Sequence, residues 1–403
     1  MLGILTIGTE LLTGFIDDTN SSWLGRELTT AGLSPKIKIS VSDGVADIVK
    51  AIESFPDDVT DLIITGGLGP THDDITLKSI SDYLGIELEF DQQYWEFLRE
   101  RFRRRGREIP EINRNQALVA ADQDIIPNPV GSARGTIFKS GKRRIFLLPG
   151  VPDEMKAMFT ASVLPLLSTA SEDMQVKIIR TTGIWESVLA EKLAAILERY
   201  QDIQVAFLPR MIGVDIRLIS SDTARIEALK LALVNKCGPY FYGFDETGLE
   251  EVVGERLVEK GLTIATAESC TGGLISHRLT ETPGSSRYHL GSVVAYSNAV
   301  KMKQLGVNQD TLATHGAVSE ATALEMAGGV RQALGADVGI ATTGIAGPDG
   351  GTAEKPVGTV YIGYDDGDTR RANRYQFHFN RYWNKRISSQ VALNMIRLEL
   401  ENA

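Results

Sequence analysis

The sequence predicts an α/β protein, with two doubly wound α/β domains at residues 1–168 and 247–403 joined by a small α+β module at 169–246. Three observations predict it. Apolar runs of strand length end at glycine-bearing loops, as at Leu2–Ile7, Asp61–Thr65 and Arg144–Leu148. Segments of helical periodicity separate these runs, the grammar of a parallel sheet covered on both faces. The same grammar restarts near residue 248, in a chain whose 403 residues are enough for two or three cores.

The elements follow in order. Leu2–Ile7 is the first strand, and the polar loop Gly8–Ser22 leads to a helix with Leu24 and Leu28 on one face, ended by Gly32. Pro35–Val41 alternates like a strand, and Val45, Ile48, Val49 and Ile52 recur at helical spacing. The strand DLIIT (61–65) runs into Gly66-Gly67, and RIFLL (144–148) into Pro149-Gly150. In the module, Val176–Thr182 and Val214–Ile219 read as strands, Trp185–Tyr200 and Ala224–Lys236 as helices. Beyond it, helix Leu249–Lys260 precedes strands at Leu262–Ala265, Ser292–Tyr296, Ala336–Ala341 and Gly358–Tyr364, with a closing helix Arg386–Leu400. No internal repeat is visible.

Composition excludes several classes. No apolar run reaches the ~18–20 residues of a membrane span, and the first residues lack the basic segment of a secretory signal, so cytoplasmic residence is expected. Two cysteines, Cys237 and Cys270, rule out a disulfide framework or cysteine zinc cluster. A formal charge of −10 disfavours broad nucleic-acid binding. The basic run Arg99–Arg107, broken by Glu100 and framed by Trp95, Leu98 and Phe102, reads as a solvated helix face.

Chemistry concentrates in loops after strands, where open α/β sheets bind ligands. The loop AESCTGG (267–273) sets Ser269 ahead of Gly272 and Gly273 at a helix start, which suits a nucleophile, an anion cradle or simply a helix cap. Its helix start is expected to supply oxyanion donors. In YSNAVK, Lys301 follows a strand end by about one turn. Taken alone it is a surface lysine, but beside the first loop it could reach Ser269 as a neutral base. That role requires its pKa to fall from ~10.4 towards neutrality. The five histidines form no catalytic or metal spacing. TTGIAGPDGG (342–351), with Gly344 and Gly347, lets backbone approach a ligand or forms a tight structural loop.

AESCTGG, YSNAVK, HGAVSE (315–320), TTGIAGPDGG and EKPVGTV, in this order, closely resemble the nicotinamide-nucleotide amidase (PncC-like) family, the C-terminal domain of CinA proteins. The resemblance covers residues 250–400 or so. It implies metal-free deamidation of nicotinamide mononucleotide, with Ser269 as nucleophile and Lys301 as its base. It also implies Tyr296 in the active-site cluster, Thr343 hydrogen-bonding in the same pocket and Arg381 holding the substrate phosphate. This chain carries Phe379-Asn380 where the family usually has Gly-Asp. Cys270, beside the matched serine, reads as a packing residue.

In the first domain, GTELLTG (8–14), TGGLGPTHDDIT (65–76) and LPGVPDEM (148–155) combine glycines able to face phosphate with paired aspartates able to hold a metal through water. They resemble the molybdopterin-binding fold family (MogA/MoeA-like), in its CinA branch. Arg134 stands where that family usually has proline. The branch implies metal-assisted hydrolysis of ADP-ribose, with Mg²⁺, Mn²⁺ or Co²⁺ near Glu10, Asp73 and Asp74, and substrate contacts from Asn20, Gly67 and Thr71. RTTGIWES (180–187) and FLP (207–209) resemble the CinA linker module. A homodimer is the family expectation. The rival readings are a molybdopterin binder, or a non-enzymatic competence- or damage-associated protein.

Overall fold

The computed structural model describes residues 1–167 and 174–402. The chain divides into two compact units, Met1–Val176 and Lys177–Ala403. The boundary expected at 168/169 lies outside the described residues.

In the first unit, β1 (Leu2–Ile7), α1 (Thr19–Thr30), β2 (Ile37–Val41), α2 (Val45–Ser54), β3 (Asp61–Thr65) and α3 (Thr76–Leu84) alternate as expected. Later come β4 (Asp124–Ile126), β5 (Gly135–Ser140), β6 (Arg143–Leu148) and α4 (Pro152–Met158). The sheet order is β2-β1-β3-β6-β5-β4. The β2-β1-β3-β6 pairings are parallel, whereas β5 and β4 join antiparallel. The sheet is therefore mixed, because a tight turn at Gly141-Lys142, with Gly141 at φ 57°, folds β5 straight back from β6. Both faces are buried: Leu62 and Ile64 lie in one apolar cluster and Ile63 in the opposite one. This two-sided burial is why β3 reads as a continuous apolar run.

The second unit opens with β7 (Gln175–Thr181), α5 (Glu186–Leu197), β8 (Gln204–Arg210), β9 (Gly213–Ser220), α6 (Thr223–Cys237) and β10 (Phe241–Phe244), forming a sheet in the order β8-β9-β7-β10. Strands β8 and β10 were not legible in the sequence: β8 contains Pro209 and is largely exposed, and β10 has four residues. Both helices lay their leucines, Leu189, Leu193, Leu229 and Leu233, on the core of this sheet.

Next come α7 (Leu249–Lys260), β11 (Ile264–Glu268), α8 (Leu274–Glu281), β12 (His289–Val294), α9 (Asn298–Leu305), α10 (Gln309–His315), α11 (Glu320–Leu334), β13 (Val338–Gly344), β14 (Thr359–Asp365), β15 (Arg370–Gln376) and α12 (Arg381–Asn402). The sheet order is β12-β11-β13-β14-β15; the first three strands are parallel, β14 pairs antiparallel with β13, and β15 antiparallel with β14. Helix α11 packs at backbone distance, since a Cβ on Gly339 would lie 2.1 Å from the Ala327 carbonyl oxygen. Three sequence expectations shift here. β11 runs to Glu268 instead of ending at Ala265, α12 begins at Arg381 instead of Arg386, and the charged edge strand β15 is additional. Among the described residues no helix is long and apolar enough to cross a membrane.

The closing helix ties the small module to the sheet it caps. Arg397, 1% exposed, donates to the carbonyls of Pro239 (2.5 Å) and Phe241 (3.0 Å) and pairs with Glu401. Gln390 Nε2 donates to Thr182 Oγ1 at 3.3 Å. Arg397→Ala strips both carbonyls of their donor and leaves a cavity. Unfolding of the second unit, followed by urea titration, is expected to become easier by about 2–4 kcal/mol, with Arg397→Lys intermediate because it lacks the planar fork.

Candidate active site

Strand β11 lies between β12 and β13, all parallel, so three strand ends meet at one edge. At that edge the Ala295 amide donates to the Glu268 carbonyl and the Ser269 amide to the Thr342 carbonyl, each at 2.9 Å. The chain then turns through Gly272 (φ 64°) and Gly273 (φ 94°) into α8. These angles strain any residue with a Cβ, which explains the paired glycines.

Lys301, one turn into α9, reaches back under this turn. Its Nζ lies 3.0 Å from Ser269 Oγ and donates to the Ala295 carbonyl at 2.7 Å. Ser269 is 8% exposed and Lys301 1%, so the surface-lysine alternative is excluded. Burial pushes the ammonium's pKa below its ordinary 10.5, slightly opposed by Cys270. Cys270 itself is buried, and desolvation pushes its thiol up to about 12. It stays protonated near neutrality and is inert as a nucleophile.

Glu268 is the residue the sequence reading passed over. Fully buried, its carboxylate accepts from the amides of Gly273 (2.9 Å), Ile275 (3.1 Å) and Ser276 (2.8 Å). The expectation that the start of α8 supplies oxyanion donors is therefore corrected: the chain's own carboxylate already holds those amides. In the turn itself, the amides of Thr271 and Gly272 donate to no acceptor among the described residues.

Thr343 and Thr342 divide their tasks by strand alternation. Thr343 Oγ1 donates to the Ala317 carbonyl at 2.6 Å, fixing the HGAVSE loop, whereas Thr342 Oγ1 shares a 2.6 Å hydrogen bond with Thr271 in the nucleophile turn. Gly344 has a packing reason, because a Cβ there would lie 2.7 Å from Val360. Arg381 donates to the Gly347 carbonyl (2.8 Å) and Tyr296 Oη (2.9 Å), bringing those three residues together. Tyr296 is 63% exposed, so this group forms the rim and not the floor. Asn380, at the family's aspartate position, caps α12 by accepting from the Trp383 amide at 3.1 Å.

In the first unit, Glu10, Gly67, Thr71, Asp73 and Asp74 line one cavity of about 470 Å³, with Asp43 and Glu154 also on its wall. Gly67 (φ 66°) leaves no room for a side chain, since its Cβ would meet Thr76 Oγ1 at 2.0 Å. Asn20 donates to Thr65 Oγ1 (3.1 Å) and the Gly150 carbonyl (2.8 Å), bracing the loops, and lies on an adjoining cavity that Glu10 shares. The acids are locally engaged: Asp74 accepts from the Thr71 amide (2.9 Å) and hydroxyl (2.6 Å), Asp73 lies 2.8 Å from His72, and Asp43 accepts from Thr9. Among the described residues no group of three or more His, Cys, Asp or Glu side chains converges as a metal cage. With no such cage, this oxygen-rich wall could take a hard divalent cation only through water. Arg134 pairs with Asp91 at 2.6 Å and stacks 3.6 Å above the Tyr94 ring.

Three family models match the chain: a probable molybdopterin binding domain over residues 3–169, a damage-inducible protein CinA KH domain over 176–243, and a CinA C-terminal domain over 246–400. A CinA-like protein of Salinibacter ruber is 43% identical, with 98% of each chain covered, and one of Chloroherpeton thalassium is 42% identical, with 99% of each covered. Among solved structures, the competence/damage inducible protein CihA of Agrobacterium tumefaciens is 39% identical over 38% of this chain and 97% of its own, with a TM-score of 0.37.

The buried lysine has a pH signature. Between its lowered folded pKa and the unfolded value of ~10.4, the unfolded chain binds a proton that the folded chain lacks, so stability rises with pH across that interval. It is lost again as pH falls through the folded pKa. Lys301→Met removes this titration. In urea denaturation over a pH series, wild type is expected to gain stability relative to the Met variant as pH climbs through that window. A difference that stays flat with pH would contradict a lysine buried in neutral form.

Proposed function

The chain belongs to the CinA family, and from that premise we propose that it is a pyridine-nucleotide hydrolase with two sites, deamidating nicotinamide mononucleotide in the second unit and hydrolysing ADP-ribose in the first. The observation that carries the amidase reading is the 3.0 Å approach of Lys301 Nζ to Ser269 Oγ in a buried setting. A lysine desolvated without a carboxylate partner can be neutral, and a neutral amine is the base that a serine hydroxyl needs.

In this mechanism Lys301 accepts the Ser269 proton as Oγ attacks the carboxamide carbon. The C–N bond then breaks, Lys301 returns the proton to the departing nitrogen, and ammonia leaves an acyl-serine. Water, deprotonated by the same amine, attacks the ester; the acyl C–Oγ bond breaks, Ser269 Oγ takes the proton back from Lys301, and the acid leaves. Arg381, with Tyr296 at the rim, would hold the substrate phosphate. The free amides of Thr271 and Gly272, in the turn after the nucleophile, would be the donors for the developing oxyanion.

For the first unit, Glu10, Asp73 and Asp74 would hold Mg²⁺, Mn²⁺ or Co²⁺ through water, while Asn20, Gly67 and Thr71 contact the nucleotide. Such a cation, when bound, offsets phosphate charge and polarises the phosphorus–oxygen bond. The carboxylates themselves orient water and keep the pyrophosphate from binding without it.

Three experiments test the reading. Ser269→Ala is expected to abolish ammonia release from nicotinamide mononucleotide while AMP still forms from ADP-ribose; loss of both in a folded variant would sink the two-site scheme. Lys301→Arg keeps the charge but cannot give up its proton near neutrality, so kcat for deamidation is expected to fall at least ~10²-fold. Chelation with EDTA is expected to stop ADP-ribose hydrolysis, with recovery on adding Mg²⁺, Mn²⁺ or Co²⁺, and to leave deamidation running.

A further inference from the structure

We propose that Lys385 is a specificity-determining residue of the amidase site, forming with Arg381 a subsite for the dianion of a phosphate monoester beside the nucleophile turn. This rests on the amidase reading above for its place in the reaction, but not for the binding itself.

The placement of charge is the first ground. Arg381, Lys385 and Arg386 all fall within the first two turns of α12. Cations there face the positive end of the helix dipole and each other, an arrangement that opposes helix stability. No carboxylate forms an ion pair with any of the three among the described residues. The cap is neutral as well, since Asn380 fills that role. Arg381 gives its hydrogen bonds to uncharged acceptors, a carbonyl and a phenol, and Arg386 lies over the Tyr382 ring. The Lys385 ammonium has no hydrogen-bond acceptor among the described residues.

Position is the second ground. A methyl group built on Gly272 would lie 3.5 Å from Lys385 Nζ. The half-buried ammonium therefore sits against the backbone of the turn, three residues beyond Ser269. Arg381 stands one helical turn earlier on the same face. Two uncompensated cations thus flank the approach to the nucleophile, one anchored at the Tyr296–Gly347 rim and one against the turn. A phosphate monoester carries nearly two negative charges near neutrality and three acceptor oxygens. A guanidinium fork can take two of these oxygens and an ammonium point charge the third.

The test compares nicotinamide mononucleotide with nicotinamide riboside, which has the same carboxamide without the phosphate, using full-length wild type, Lys385→Ala and Lys385→Arg. Binding of inorganic phosphate is measured in parallel by calorimetry. Lys385→Ala is expected to cut the kcat/KM preference for the phosphorylated substrate by about 10- to 100-fold, mostly through KM. It is also expected to weaken phosphate binding, and Lys385→Arg restores much of both. An unchanged preference together with unchanged phosphate binding would overturn the proposal, as would equal losses on the two substrates. If wild type deamidates neither substrate yet loses phosphate affinity in the Ala variant, the subsite stands and the amidase reading falls.

Discussion

Burying Lys301 with no anionic partner among the described residues is the constraint on which the second unit's site depends. An ion taken out of water costs several kcal/mol unless it is paired or gives up its charge. A carboxylate beside the amine would pay that cost by holding the proton and would remove the base. The nearest acid in sequence to the nucleophile is Glu268, and it is withdrawn from that role. Three amides of α8 enclose its carboxylate, and it contributes nothing to the lysine's shift, which comes from desolvation with a small opposing effect of Cys270. Glu268 thus anchors the nucleophile turn and keeps its own charge occupied, leaving Lys301 in contact with a hydroxyl and a carbonyl.

The sheet makes that contact possible at a separation of 32 residues. Parallel pairing of β11 with both β12 and β13 brings three strand ends level, and the Ser269, Thr342 and Ala295 backbones lock there. The lysine's long side chain then spans the gap from α9, and no third residue is needed to set a tautomer, as a histidine base requires. Precision in the turn comes from its two left-handed glycines and from Thr271 gripping Thr342. These restraints are local, so a small α/β sheet suffices.

The parts of this arrangement that were legible in the sequence are those written as local pattern. Buried strands ending in glycine announced both sheets, and a hydroxyl before paired glycines with a lysine after the next strand announced the Ser269–Lys301 pair. What stayed hidden depended on tertiary context. Glu268 reads as a loop acid until β11 is seen to run three residues past its apolar stretch. Thr342 and Thr343 cannot be told apart without knowing which face of β13 meets the nucleophile turn. Edge strand β15, RRANRYQ, carries no apolar alternation because it is largely exposed. The extra turn of α12 was missed because Arg381, Tyr382 and Trp383 precede the apolar periodicity that marks the helix, and that turn carries the cations at the rim.

Under the proposed function the two sites would meet anionic ligands by opposite electrostatic means. Among the described residues, the wall of the first unit's cavity carries Glu10, Asp43, Asp73, Asp74 and Glu154 and no lysine or arginine, Lys78 and Arg134 lining the neighbouring cavity instead. A pyrophosphate entering it would face like charge at short range, a repulsion that grows as water is excluded, so under the proposed function its cation is a condition of binding as much as of reaction. Under the same reading the second unit places Arg381 and Lys385 at the approach, with no acid paired to either among the described residues, and holds the Glu268 carboxylate on the amides that open α8. Under the proposed function an anionic substrate would bind there without a metal, while the lowered proton affinity of Lys301 comes from its burial alone.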